Sequence, residues 1–394
     1  MILAAKSGDQ NSINLLGKKR DELSLVYSGV FGDREITENG FVIPCSTEKD
    51  DYKRTLISCK GNTLLDLSRK GYPVPNFTFL TSNAYELSVN DSFTQMVAAI
   101  KNIEALTGQK FASAKDPLLL AMRCAMPIYI PGFMPTYLNV GVIKSNYGFI
   151  RLRYGDEVAS RIILNNLKTI LSVLDPTLLK NPDVYRPDLS LGKNRYVSQL
   201  FSDAIEKRDP QLLNDPYYQA FFFLRKAYGI YENNAMLLRS LMGGRDFYPT
   251  MIFQKMICSA HDDSYAGVFY SRNIREGFGM HLKTAKGVFG DEIMTGGVVV
   301  PVETYFTDRN QIKNGFPAVH HICPKIGALE EDNASPVTIE FAVEEGEFAM
   351  LQLNESTLDG FGALRATMDL CRSGKITRKR VTELIKPYHL KMLE

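Results

Sequence analysis

Between Pro117 and Met126 the chain reads PLLLAMRCAM, an apolar run broken once, by Arg123. The run is too short to span a bilayer, which takes roughly 18 apolar residues. Its length and continuity suit a strand buried on both faces, and therefore a layered α/β (α+β) protein. Arg123 then needs explaining, because arginine is almost never buried without a partner. Two readings stand side by side. The guanidinium forms an internal salt bridge to a core carboxylate, or it emerges at the strand's end and grips a phosphate through its planar fork.

The 394 residues suggest two or three domains and a sizeable core. Hydrophobic residues at 45% and charged residues at 23% exclude wholesale disorder. A near balance of 46 basic and 44 acidic residues argues against nucleic-acid or membrane-surface binding by bulk electrostatics. Six scattered cysteines without a CxxC pair point to a reducing compartment. The polar N-terminus MILAAKSGDQNS lacks a secretory apolar core, so the expectation is a soluble, cytoplasmic-type protein with no membrane span.

Residues 1–38 are polar and read as an N-terminal extension. Residues 39–149 with 213–249 form a first lobe, 150–212 a helical insertion, 250–356 a second, sheet-rich lobe and 357–394 a helical tail. Within the first lobe, Asn62–Lys70 reads as a helix starting at an Asn62 cap and stopping at Gly71, followed by a strand over Phe77–Thr81. Another helix is expected near 92–107, and one long amphipathic helix over Tyr217–Leu241. Short strands are expected at 250–258, 265–272 and 297–302.

Several residues carry potential chemistry. Lys60-Gly61 precedes a helix, so an ammonium group and the positive end of a helix dipole face the same anion. After Arg123 comes PGFMPT, residues 131–136, whose glycine and hydroxyl precede a short helix and whose amides suit an oxyanion. Arg272 closes an apolar strand. In TIEFAVEEGEFAMLQLN, Ile339, Phe341 and Val343 alternate with Thr338, Glu340 and Ala342, the period of a half-buried strand. A three-residue loop at Glu344–Gly346 places Glu340 and Gln352 on one face, two oxygen donors for a hard cation such as Mg²⁺; a tighter two-residue turn places them on opposite faces. His320-His321-x-Cys323 has too few neighbouring ligands for a zinc site.

Taken in order, these residues resemble the N-terminal ATP-binding domain of the pyruvate phosphate dikinase and phosphoenolpyruvate synthase family. The resemblance runs from about Ser58 to the C-terminus. CKGNTLLDLSRKGYPVPNFTFLT is similar to the family's lysine-glycine loop, helix and PVPxGF strand, implying Lys60 on the triphosphate. DPLLLAMRCAMPIYIPGFMPTYLNVGV is similar to its arginine strand and PGMMDT loop, implying Arg123 and the backbone from Gly132 to Thr136. IFQKMICSAHDDSYAGVFYSRN resembles the adenine-side strand and the GxxFTRNP strand, implying Gln254, Met256 and Ile257 on the base and Arg272 on phosphates. VTIEFAVEEGEFAMLQLNES is similar to the DIEFxxxxGxLYxLQxR hairpin, implying Glu340 and Gln352 as Mg²⁺-nucleotide residues.

The resemblance implies an ATP-grasp-like fold that binds Mg-ATP between two lobes and transfers a phosphoryl group to an acceptor supplied in trans, a protein or a small molecule. This chain has Thr338 for the motif's aspartate, Asn354 for its terminal arginine, Pro135 for the loop aspartate and a lysine, Lys283, near a position where the family tends to carry glutamate. These substitutions leave two further readings open: a catalytically inactive nucleotide-binding or scaffold protein, and nucleotidyl transfer.

Overall fold

The computed structural model describes residues 40–49, 52–128, 130, 132–180, 191–261, 263–294 and 301–392. The segment 1–38 and residues 181–190 of the helical region lie outside them. The chain divides into two compact units, residues up to Asp66 with Asn76–Met256, and Leu67–Pro75 with the chain from Ile257 onward. Each holds one five-stranded sheet. The fold is therefore α+β and two-lobed.

The first sheet contains β1 (Val42–Pro44), β2 (Phe77–Leu80), β3 (Leu120–Ala125), β4 (Thr136–Val140) and β5 (Thr250–Lys255), in the order β1-β2-β5-β3-β4. Every neighbouring pair is antiparallel. β3 lies inside this sheet, and all of its residues except Arg123 are buried, as its apolar run requires. β5 belongs here because it hydrogen-bonds both β2 and β3. The change of sheet thus falls after Met256, not at residue 250. A pairing between strands more than a hundred residues apart leaves no local trace in the sequence.

Helix α1 (Arg54–Arg69) begins eight residues before the expected Asn62 cap and is broken at Ser58, whose φ of 69° and ψ of 169° are not helical. The Ser58 hydroxyl accepts from Gly61 N–H at 3.1 Å, capping the second half of the helix. Gly61 is needed for packing: a Cβ there would meet the Phe79 ring at 3.0 Å. Helix α2 (Val89–Thr107) is capped by Ser88, which accepts from Asp91 N–H, and ends at Gly108 with a left-handed φ of 73°. Its face of Met96, Ile100 and Ile103 is fully buried.

The described residues between 150 and 212 are mostly helical, with α3 (Tyr147–Leu174) broken at Gly155 and α4 at Leu191–Glu206. The single helix expected over Tyr217–Leu241 is two, α5 (Pro216–Glu232) and α6 (Ala235–Leu241). Asn233 and Asn234 interrupt it, and Asn234 Nδ2 donates to the Ile230 carbonyl at 2.8 Å, a side-chain bond that competes with helix continuation.

The second sheet runs β10-β9-β6-β7-β8, with β6 at Tyr265–Tyr270, β7 at Met280–Lys286, β8 at Val302–Phe306, β9 at Val337–Glu344 and β10 at Glu347–Glu355. β7 has no counterpart among the expected strands, and β8 begins where the expected 297–302 segment ends; residues 297–300 lie outside the described set. Helix α7 (Gly290–Met294) follows β7, and α8 (Pro317–Asn333) covers the apolar face. Val319, Ile322, Ile326 and Leu329 of α8 share one core with Phe269, Leu282, Ile339, Phe341, Val343 and Met350. Helices α9 (Gly360–Arg372), α10 (Arg378–Leu384) and α11 (Pro387–Lys391) complete the tail.

The β9–β10 connection corrects one expectation and preserves its consequence. Glu344 pairs directly with Glu347, so the turn has two residues, Glu345 and Gly346, both left-handed at φ 52° and 84°. In a regular ladder that register would set Leu351 against Glu340 and turn Gln352 to the apolar side. A β-bulge between Met350 and Gln352 absorbs Leu351, so Gln352 stands opposite Glu340. The two oxygen donors share one face after all.

Candidate functional site

In the first unit, Lys60 sits in the first turn of the capped second half of α1, next to Cys59, whose N–H donates to the Met126 carbonyl at 3.3 Å. That bond ties the start of this half-helix to the end of the β3 segment. A small cleft there is lined by Cys59, Lys60, Cys124, Met126, Gly132 and Met134, among others. Burial pushes the Cys59 thiol up from its ordinary range, with Arg54 and Lys60 pulling the other way. Burial also raises the Cys124 thiol well above its usual value. Both are thus protonated near neutral pH.

The loop after β3 does not lead into a helix, as expected, but into β4, and so closes a β-hairpin. Gly132 has a left-handed φ of 66° there, and Thr136 pairs directly with Arg123. Pro131 lies outside the described residues. On the same sheet, Arg123 pairs with Ile252 and Ala121 with Gln254, which puts Arg123 and Gln254 diagonally on one face. Arg123 Nη1 donates to Gln254 Oε1 at 3.3 Å. Gln254 is 2% exposed and its Nε2 has no hydrogen-bond partner among the described residues. A buried amide donor left unsatisfied costs about 1–3 kcal/mol, which suits a site where a ligand oxygen completes it. Met256 follows β5, its N–H bonded to the Leu119 carbonyl at 2.9 Å, and Ile257 opens the second unit.

In the second unit, Arg272 does not stand ready for a phosphate. Its fork is held by Glu330 of α8, with Nε at 2.9 Å and Nη2 at 3.1 Å from the two carboxylate oxygens, and Asp369 of α9 lies 3.7 Å away. Glu330 is 5% exposed. This is the internal salt bridge that arginine chemistry allows as readily as phosphate binding, placed at a different arginine from the one the sequence singled out. Fifty-eight residues separate the partners, and nothing in ALEEDN marks Glu330.

Glu340 and Gln352 face away from the apolar core. Gln352 is 7% exposed, and its Nε2 donates to Asn354 Oδ1 at 3.0 Å, which fixes the amide's orientation. A carboxylate and an amide oxygen directly opposite one another are a donor set for Mg²⁺, which takes one or two protein oxygens and completes its shell with phosphates and water. The Thr338 hydroxyl, in place of the motif's aspartate, is 2.8 Å from the Ser356 hydroxyl.

The same face carries an ionised pair that sequence reasoning passed over. Lys283 Nζ lies 2.9 Å from Glu303 Oε1. Hydrogen bonds from Lys283 and then Tyr305 hold the Glu303 carboxyl down at about 2. His281, 1% exposed, is stacked between Tyr270 and Tyr305 with centroids 5.2 and 4.3 Å away. Burial depresses its pKa, although Glu303 Oε2 at 3.5 Å from Nε2 opposes the shift. Since the folded value lies below that of the unfolded chain, acidification protonates the unfolded state first and favours it. The urea midpoint is therefore expected to fall as pH drops below about 6.5, and His281→Phe should flatten that fall. A wild-type midpoint constant between pH 7 and 5 would contradict this.

The fold and these residues define a two-unit α+β protein with basic and amide groups gathered at one sheet and oxygen donors on the polar face of the other. Its sequence is similar to pyruvate, phosphate dikinase of Rickettsia prowazekii, at 25% identity over 86% of this chain and 41% of the relative. It is similar to pyruvate, phosphate dikinase 2 of Oryza sativa subsp. japonica at 23% identity (86% and 40%), and to the chloroplastic pyruvate, phosphate dikinase 1 of Arabidopsis thaliana at 22% (86% and 37%). The chain is thus similar to pyruvate phosphate dikinases over most of its own length and spans about two fifths of the length of these curated relatives. No protein-family profile matches it. Among the described residues no helix is long and apolar enough to cross a membrane, and none of the six cysteines, all of them described, forms a disulfide.

Proposed function

We propose that this chain is an ATP-dependent phosphotransferase of dikinase type on an ATP-grasp-like fold. Lys60, Arg123 and the backbone amides from Gly132 to Thr136 take phosphate oxygens, Gln254 and the Met256–Ile257 segment take the nucleotide's remaining polar and apolar edges, and Glu340 with Gln352 hold Mg²⁺. The observation that carries the reading is the Arg123–Gln254 pair: a guanidinium inside a sheet, bonded to a neutral amide whose own buried donor lacks a partner among the described residues. Little covalent chemistry is asked of the protein. Fixed positive charge and metal stabilise the transferring phosphoryl group, and the sheet holds them without reorganisation. Arg272 is left out of the phosphate set because Glu330 occupies its fork. The phosphoryl acceptor comes in trans and is a protein side chain or a small molecule.

The rival reading is a nucleotide-binding protein without turnover, favoured by Thr338 and Asn354 at positions where the resemblance implies an acid and an arginine. Incubation of the protein with γ- and β-labelled Mg-ATP, with and without cell extract, separates the two. AMP or ADP together with a labelled acceptor supports transfer; pyrophosphate release indicates nucleotidyl transfer. Nucleotide that is bound and recovered unchanged in every condition contradicts the enzyme reading.

A further inference from the structure

The polar face of the second sheet extends the metal pair into a longer row. Gln352 stands opposite Glu340, Glu340 opposite Val268, Val268 opposite Lys283, and Lys283 opposite Glu303. Directly opposed residues of antiparallel neighbours point to the same face. Five side chains from five strands therefore line up across the sheet. Glu340 and Lys283 are two strand spacings apart, about 10 Å at the backbone. Only Val268, a short side chain 6% exposed, lies between them.

The neighbouring rows differ from this one. On one side, Tyr270, His281 and Tyr305 form a stacked aromatic wall. On the other, Ala349, Ala342, Ala266 and Ala285 stand opposite one another across four strands, and Ala266 and Ala285, together with Val268 of the charged row, are packed with Val288 and Ile293. Among the described residues of this part of the face, the charged row combines an oxygen-donor end with an ammonium end. Lys283 keeps its charge, since its bond to Glu303 raises its pKa. Its side chain is 29% exposed, so the ammonium is held in place and still reaches solvent.

We propose that Lys283 is a phosphate-binding residue: the cation held by Glu340 and Gln352 and the Lys283 ammonium engage different oxygens of one polyphosphate across Val268, and Glu303 positions the lysine. A lysine acts on phosphate as a compact point charge on a flexible stem, and a buried valine beneath it offers no competing acceptor. This inference rests on the Mg-ATP reading above.

The test is calorimetric titration of the full chain with Mg-ATP and, separately, with magnesium tripolyphosphate, which lacks the nucleoside. K283M should weaken both ligands by about tenfold or more, the scale of a lost charge-assisted hydrogen bond; K283Q serves as a second variant should K283M fail to fold. E303Q keeps the ammonium but loses the carboxylate that positions it, and should weaken both ligands less than K283M does. Wild-type affinity in K283M for both ligands overturns the inference while leaving the Mg-ATP reading intact. Parallel weakening in K283M and E303Q, with a matching fall in thermal midpoint, assigns the pair a structural role and also overturns it. A wild-type protein that binds tripolyphosphate through Lys283 but not Mg-ATP supports Lys283 and sinks the nucleotide reading; binding of neither ligand sinks both.

Discussion

Glu330→Ala is expected to destabilise the protein by about 3–5 kcal/mol, the usual cost of leaving one member of a buried ion pair without its counter-charge. The geometry makes this a severe case. Glu330 is 5% exposed and takes two bonds from the Arg272 fork, while Arg272 itself has a side chain only 18% accessible. Asp369 at 3.7 Å is the remaining acid near the guanidinium and is more exposed, so it screens the stranded charge only in part. The double replacement Arg272→Met with Glu330→Leu should recover most of the loss, because apolar residues of similar size avoid the desolvation that the ion pair must offset. Urea denaturation of the three variants measures both effects. A loss below about 1 kcal/mol for Glu330→Ala, or a double variant no better than the single, would show that the pair behaves as a solvated surface bridge.

Arg123→Ala is expected to weaken Mg-ATP binding by about 10- to 100-fold, on the scale of one or two lost hydrogen bonds to a charged ligand. Arg123→Lys keeps the charge but not the planar fork, and Lys cannot hold Gln254 Oε1 and a phosphate in one plane. It should therefore recover part of the affinity and not all. Gln254→Leu supplies the complementary experiment: it removes the unsatisfied donor but also the acceptor of the Arg123 bond, so the two effects offset and stability should change little while nucleotide affinity falls. Equal affinities in wild type and Arg123→Ala would remove Arg123 from the site.

The sequence was informative where a signal was local. The apolar run around Arg123 announced an interior strand because its length and composition fit few other structures, and β3 is that strand. The alternation in β9 identified its apolar face, and α8 covers it. Local patterns failed where two local solutions compete. EEG accommodates a two- or a three-residue turn, and the two-residue turn formed; the bulge at Leu351 then restored the shared face, and one apolar residue inside MLQL carries no mark of being unpaired. Long-range pairings were the least visible. The placement of β5 between β2 and β3, the Arg272–Glu330 fork and the row that joins Glu340 to Lys283 each depend on strands or helices that meet only in the folded chain.

The substitution pattern also takes on physical content. Thr338 and Asn354, which the resemblance flags as departures, occupy the same strand pair as Glu340 and Gln352 and are bonded to Ser356 and to Gln352 itself. Where the resemblance implies an aspartate and an arginine, they form a neutral hydrogen-bonded set. With no carboxylate at position 338, the Mg²⁺ proposed above rests on Glu340 and Gln352.

Titration of the 394-residue chain with Mg-ATP, followed by isothermal calorimetry and repeated in EDTA, tests nucleotide binding directly. Saturable binding of one nucleotide per chain, weakened by removal of Mg²⁺ and by Lys60→Ala and Arg123→Ala, is the predicted result. Heats indistinguishable from dilution, or binding that persists unchanged without Mg²⁺ and in both variants, would contradict it.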